Sequence, residues 1–158
     1  MMGLTYEDLL IESSSINVDV KEKKFNSKAK GLCFNNQIAI NANIKTSREK
    51  KCILAEELGH YHTTCGDIIN QNDIRNRKQE LIARRWAYRK LVGIPSLIQA
   101  YKDNIHGKHE LAEYLNVTEE FIEESIEYYK KRYGLFYSTD EYIIYFEPLG
   151  VLEKFCDF

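Results

Sequence analysis

The chain has 158 residues, 44% of them hydrophobic and 29% charged, a globular balance that excludes a fibrous or wholly disordered protein. The formal net charge of -2, from 22 Lys and Arg against 24 Asp and Glu, excludes a global charge that would attract nucleic acid or an anionic membrane. Because no apolar run approaches the ~20 residues that cross a bilayer and no basic signal segment opens the chain, we expect a soluble, cytoplasmic protein with reduced cysteines.

Three elements are predicted in the first part of the chain. Thr5, with Asp8 three residues later, forms a capping box that opens a short helix through about Glu12. Alternating apolar residues indicate a strand within residues 16–25, although the lysines there weaken the pattern. Two short alternating runs around an Asn-Asn turn predict a β-hairpin over residues 30–43.

The rest of the chain predicts mainly helices. Thr46 and Glu49 form a second capping box, which opens a long helix that we expect to end near Gly66. Further elements follow in chain order: helices over residues 77–92, 95–102, 109–115 and 118–132, and a strand over residues 142–147. A shift in composition near Gly107 indicates a C-terminal subdomain.

The long helix after Thr46 carries a cluster of side chains suited to chemistry. At about 100° per residue, Glu56, Glu57 and His60 share one sector, and a separate stripe is apolar. The spacing of Glu56 and His60 places two potential ligands one turn apart, where both can reach one metal ion. Glu57 lies beside them and could activate water as a general base. His62 falls on another sector, and we expect it at the surface.

Glu80, on the next predicted helix, is a lone carboxylate in a stripe otherwise formed by Ala83, Ala87 and Leu91. A buried carboxylate is costly without a cation, so we expect Glu80 to lie against a positive charge or a metal ion. We therefore predict that Glu56, Glu57, His60 and Glu80 converge in one cleft, with the His60 and Glu80 side chains within reach of a single ion. Asp67 could also reach back as a ligand, although a turn position is the more ordinary interpretation.

These motifs resemble the ImmA/IrrE family of metallopeptidases, whose active-site motif is H-E-x-x-H with a downstream Glu. The resemblance rests on residues 54–60 and on the pattern Glu80-x-x-Ala83-x-x-Trp86-Ala87-x-x-x-Leu91. It implies an α+β, zincin-like fold with a small β-sheet, an active-site helix and a helical C-terminal subdomain. We place the metallopeptidase domain at residues 1–106 and the subdomain, with its late strand, at residues 107–158.

The resemblance also implies a function and assigns roles by position. Glu57 takes the general-base role, while His60 and Glu80 take ligand roles for Zn²⁺. Glu56 stands where the family has its first His. Zn²⁺ accepts a carboxylate in place of imidazole. A site with two carboxylates and one His, however, has a weaker preference for Zn²⁺ over Mn²⁺. The expected function is a metal-dependent endopeptidase that cleaves a helix-turn-helix repressor of a phage or mobile element.

Two alternatives remain open on the sequence. The purified protein could hold Mn²⁺ or no metal, and Glu56 could instead pair with a local Lys or Arg. The chain would then be a degenerate zincin-like module that binds a repressor without cleaving it.

Two charged segments of the sequence indicate which kinds of partner the protein could bind. Residues 73–90 carry seven basic side chains and could meet an acidic partner, although a solvated face is the ordinary explanation. Residues 110–127 resemble a helix-turn-helix but carry seven Glu and neither Lys nor Arg, so they would repel phosphates. We therefore expect no direct binding to nucleic acid or membrane, and the sequence leaves the oligomeric state open.

Overall fold

The computed structural model describes residues 3–63 and 74–155, which form six helices and six strands. In chain order the elements are α1 (Tyr6–Ser15), β1 (Asp19–Lys23), β2 (Gly31–Phe34), β3 (Gln37–Asn41), α2 (Ser47–Thr63), α3 (Ile74–Leu91), α4 (Ile94–Lys102), α5 (Gly107–Leu115), α6 (Glu119–Tyr133), β4 (Phe136–Ser138), β5 (Tyr142–Phe146) and β6 (Leu149–Glu153). The mixture of helices with two small sheets confirms the predicted α+β class. Within the described ranges, every helix is too short or too polar to cross a bilayer.

The chain divides into two compact units. Leu4–Leu91 forms the first, with α1, α2, α3 and the first sheet. The residues from Val92 onward, joined by Gly3, form the second, with α4, α5, α6 and the second sheet. The boundary that we predicted between residues 106 and 107 lies inside this second unit, between α4 and α5.

The first sheet has the strand order β1-β3-β2, so β2 is an edge strand. β2 and β3 form the predicted hairpin, with Gly31 opposite Ile40 and Phe34 opposite Gln37. Asn35 in the turn has a φ of 53°, a left-handed conformation that Asn tolerates well. β1 pairs with β3 in parallel, which the local alternation of residues did not predict.

Helices α2 and α3 approach each other closely at a glycine. A Cβ atom on Gly59 would lie 2.3 Å from the carbonyl oxygen of Ala83, which is main chain and cannot swing aside. Ala83 and Ala87 are fully buried on α3, and Leu54 and Leu58 are fully buried on α2. Small residues at the crossing therefore set the distance between the two helices.

We expect Gly59→Ala to destabilise the protein. Alanine would ordinarily stabilise a helix interior by about 1 kcal/mol relative to glycine. Here its Cβ would force α2 and α3 apart, and we expect a loss of about 1–3 kcal/mol in the free energy of unfolding. Gly150→Ala is the matched control, because a Cβ there meets nothing within 4 Å. Urea denaturation measures both variants, and equal stabilities would contradict the close contact.

Lys51 is a buried cation near the start of α2. Its side chain is fully buried, and Nζ donates a hydrogen bond of 2.6 Å to the carbonyl oxygen of Leu4. Burial lowers the pKa of Lys51 to about 8, because the charged form loses its hydration. The folded protein therefore releases this proton at a lower pH than the unfolded chain does.

The pH dependence of stability should reveal this buried lysine. Between about pH 8 and 10.5 the unfolded chain holds the Lys51 proton and the folded protein does not, so this group makes stability rise with pH. We expect Lys51→Met to be more stable than the wild type at pH 7 by on the order of 2 kcal/mol. The advantage should shrink as the pH approaches 10. Chemical denaturation across this range measures it, and a constant difference would contradict the lowered pKa.

The second unit confirms the predicted helices and adds strands that the sequence analysis missed. Thr118 caps α6 by accepting a 3.1 Å hydrogen bond from the backbone N–H of Phe121, and Gly134 ends that helix with a φ of 84°. The Tyr129 hydroxyl donates to the carbonyl of Val92 at 2.8 Å. The predicted late strand is β5, which lies between β4 and β6 in an antiparallel sheet.

Candidate active site

The predicted long helix is present as α2, and its capping interaction fixes where it begins. The Thr46 hydroxyl accepts a 3.2 Å hydrogen bond from the backbone N–H of Glu49. The predicted end of the helix at Gly66 lies outside the described residues, as does Asp67. Further along α2, Glu56 and Glu57 are half-buried and His60 is buried.

The structure brings His60 and Glu80 together from two helices. His60 Nε2 lies 3.4 Å from Glu80 Oε1, while Nδ1 of the same ring is buried. A charge-assisted hydrogen bond is usually shorter, at about 2.7–2.9 Å. Two ligands about 2.1 Å from a tetrahedral zinc ion lie about 3.4 Å apart, so the observed spacing suits two ligands of one ion. The close crossing at Gly59 places these side chains face to face.

The electrostatics of the site favour a cation. Burial raises the pKa of Glu57 to about 7; the charge of His60 opposes this shift, and the charges of Glu56 and Glu80 add to it. Burial alone would lower the pKa of His60, but a hydrogen bond to Glu80 and the three neighbouring carboxylates raise it above its ordinary value. The same hydrogen bond lowers the pKa of Glu80. These four groups therefore act on one another, and a positive ion would relieve the repulsion among the carboxylates.

The edge strand β2 lies against Glu57, a contact that the sequence analysis missed. A Cβ atom on Gly31 would lie 2.7 Å from Glu57 Oε1 and 2.8 Å from Cγ2 of Ile53. Burial and the charge of Glu57 raise the pKa of Cys33, on the same strand, to about 11. A glycine within a strand often marks a close approach, so Gly31 was the available signal.

The assignment of Glu56 as a ligand stays a prediction. Among residues 3–63 and 74–155, the structure contains no group of three or more His, Cys, Asp or Glu side chains arranged to hold a metal ion. His60 and Glu80 fit a divalent cation by spacing and chemistry, and Glu56 interacts with His60 through its charge. His62 is exposed, as expected, and stacks on Trp86 with ring centroids 4.8 Å apart.

A comparison with models of protein families identifies the family of this chain. The model described as the IrrE N-terminal-like domain, Peptidase M78, matches residues 13–127. The chain belongs to this family. The match spans the first sheet, α2 and α3, and it supports a zincin-like α+β domain with a metallopeptidase-like function of the ImmA/IrrE type. No curated protein and no solved structure matches the chain significantly.

Proposed function

We propose that this member of the ImmA/IrrE family is a cytoplasmic, zinc-dependent endopeptidase whose substrate is a helix-turn-helix repressor of a phage or mobile element. One observation carries the proposal: His60 and Glu80 meet at 3.4 Å, and the half-buried Glu57 carboxyl interacts with both through its charge. Acid–base chemistry near neutral pH needs a carboxyl group of this kind.

Three residues would hold the metal ion: His60 through Nε2, and Glu80 and Glu56 through carboxylate oxygens. A divalent ion held by these residues would supply Lewis-acid chemistry, which polarises carbonyl groups and lowers the pKa of water. The donor set of two carboxylates and one imidazole is also acceptable to Mn²⁺.

Glu57 carries the proton transfers. Its carboxylate accepts a proton from the attacking water, and the resulting acid donates that proton to the leaving amide nitrogen. In the metal-free site, burial raises the pKa of this carboxyl to about 7. Gly31 leaves room for this carboxyl group, because a Cβ atom there would lie 2.7 Å from Glu57 Oε1.

The edge strand β2 offers a binding site for an extended peptide substrate. Among the described strands, β2 pairs with β3 alone, and Gly31 within it lies directly against Glu57. An extended peptide that added to the outer edge of β2 would form main-chain hydrogen bonds and run past the Glu57 carboxyl. Such binding orders a substrate backbone without requiring a particular side chain.

The second candidate function is a binding module that holds a repressor without cleaving it. The observation that favours it is the carboxylate at position 56, together with the lack of a three-ligand group among the described residues. In that case His60 and Glu80 would form an ion pair that joins α2 to α3.

A combined measurement separates the two functions. The purified chain is assayed for metal by inductively coupled plasma mass spectrometry, with and without added Zn²⁺. It is then incubated with the helix-turn-helix repressors encoded near its gene, and fragments are identified by mass spectrometry. Cleavage at one site that a chelator abolishes supports the peptidase. A repressor complex that forms without metal or cleavage would support the binding module and contradict the peptidase.

A further inference from the structure

One face of the second sheet is apolar and open to solvent. Side chains alternate between the two faces of a strand. In β5, Tyr142, Ile144 and Phe146 are buried on the face against which α4 and α6 pack. The opposite face, which we call the outer sheet face, carries four large apolar residues: Phe136, Ile143, Tyr145 and Leu152.

The outer sheet face is unusual for an antiparallel sheet. A sheet with one face in water ordinarily has polar residues on that face. Here Phe136 is 53% exposed and Leu152 is 55% exposed, while Ile143 and Tyr145 are half-buried. Ile143 lies opposite Leu152, and the rings of Phe136 and Tyr145 lie 6.1 Å apart, so the four form one patch. A contiguous apolar patch marks an interaction site, whereas single exposed apolar residues are ordinary.

Three carboxylates lie together at one end of this face. Asp140 and Glu141, in the turn before β5, and Glu153, at the end of β6, are exposed, and none forms an ion pair within the described residues. The backbone N–H of Lys154 donates to the carbonyl oxygen of Glu141 at 2.7 Å, which joins the two segments. The Lys154 ammonium itself donates to the carbonyl oxygen of Thr139. The second unit as a whole is acidic, with 6 Lys and Arg against 13 Asp and Glu.

We propose that the outer sheet face binds a basic amphipathic helix of a protein partner. The apolar side of the helix would cover the face, and Lys or Arg near one end would meet Asp140, Glu141 and Glu153. Neighbouring strands lie about 4.8 Å apart, so three strands present a surface about 10 Å wide. A helix with its side chains is about 10–12 Å across, so one helix fits this width. The inference goes beyond the proposed peptidase function and does not depend on it.

Size and charge favour a helix over other occupants. Aromatic side chains bury about 150–250 Å² each when fully covered, so four partly exposed apolar residues offer on the order of 300 Å². A standard protein complex buries about 800 Å² on each partner, which is more than a second copy of this face could supply. Two second units, each net negative, would also repel each other. An anionic membrane would be repelled by the same carboxylates.

The test measures peptide binding by the full chain without added metal. The probe is a fluorescein-labelled peptide of about four helical turns, with Leu at i, i+3, i+4 and i+7 positions and Lys elsewhere, followed by fluorescence anisotropy. We expect it to bind at least about tenfold more tightly than the same peptide with Glu in place of Lys. A scrambled peptide of the same composition, in which Leu does not form one face, should bind equally weakly.

Variants of the outer sheet face should weaken this binding. Phe136→Thr combined with Leu152→Thr removes the two most exposed apolar residues of the face and keeps side chains suited to strands. We expect a loss of about fivefold or more in affinity. Glu141→Lys reverses one of the three carboxylates and should cost about threefold or more.

Matched controls keep the test specific to this face. Leu81→Ser combined with Ile82→Ser removes an exposed apolar pair from α3, and Glu120→Lys reverses an exposed carboxylate on α6. Both should leave peptide binding unchanged within about twofold, because exposed charges farther apart than about 10 Å are largely screened. Circular dichroism spectra should match the wild type for all variants, since each altered side chain is exposed.

Several results would overturn the proposal. Among them are the absence of binding by the Lys-Leu peptide, equal binding of the Glu or scrambled peptide, and binding that the outer-face variants do not weaken. A dimer seen by sedimentation velocity that Phe136→Thr with Leu152→Thr abolishes would assign the face to a second copy instead. Binding to phosphatidylserine vesicles that the same variant abolishes would assign it to a membrane. Because the assay needs neither metal nor cleavage, its failure would leave the peptidase assignment intact.

Discussion

Glu57→Gln should abolish cleavage, lowering kcat/KM by about 10²–10⁴-fold, the usual contribution of a general base. Glutamine has nearly the same shape as glutamate but cannot accept the proton. Burial raises the pKa of Glu57 to about 7 because its surroundings favour the uncharged carboxyl group. The neutral amide of glutamine therefore suits the same surroundings. Folding and zinc content should therefore stay close to those of the wild type.

The matched control for this variant is Glu7→Gln, which changes an exposed glutamate on α1 in the same unit. Single-turnover cleavage of a repressor measures both variants, and circular dichroism with metal analysis tests for collateral damage. Wild-type rates in Glu57→Gln would remove the general-base role and leave the substrate and metal assignments to other tests.

Glu56→His should tighten zinc binding by about tenfold or more, equivalent to about 1.4 kcal/mol. Zn²⁺ accepts imidazole readily, and the exchange removes one of the carboxylates whose mutual repulsion the metal-free protein must bear. Competition with a chromophoric chelator measures the affinity, and the cleavage rate should rise with it. Glu7→His controls for the addition of a histidine elsewhere.

The zinc affinities of the wild type and Glu56→His distinguish an adapted metal ligand from a site that binds no metal. If the wild type already holds stoichiometric zinc tightly and Glu56→His weakens it, the carboxylate is an adapted ligand. If neither form binds metal, the peptidase assignment is wrong, and His60 and Glu80 form a structural pair.

Local chemistry in the sequence was enough to predict the helices that carry the site. The Thr46 cap and the apolar stripe on each helix are short-range signals, so the start of α2 and the extent of α3 were predicted close to what is observed. The contact between His60 and Glu80 could be anticipated because a carboxylate in the apolar stripe of α3 needed a cation or a metal ion, and His60 lay at ligand spacing on α2.

The features that the sequence did not predict depend on contacts between distant segments. The parallel pairing of β1 with β3 and the approach of Gly31 to Glu57 join residues that no local pattern links. The three-residue strand β4 is too short for alternation to be recognised. β6 contains Gly150 and follows Pro148, residues that ordinarily indicate a turn.

The main-chain contact between α2 and α3 has a consequence for how metal preference can change. Since the carbonyl of Ala83 meets Gly59 directly, the gap across the site is a property of the backbone and not of the ligand side chains. Side chains at positions 56, 60 and 80, the proposed ligands, can therefore be exchanged without altering the contact that sets the distance between α2 and α3. The scaffold offers a fixed frame for redesign, in which single substitutions would move the site between softer and harder cations.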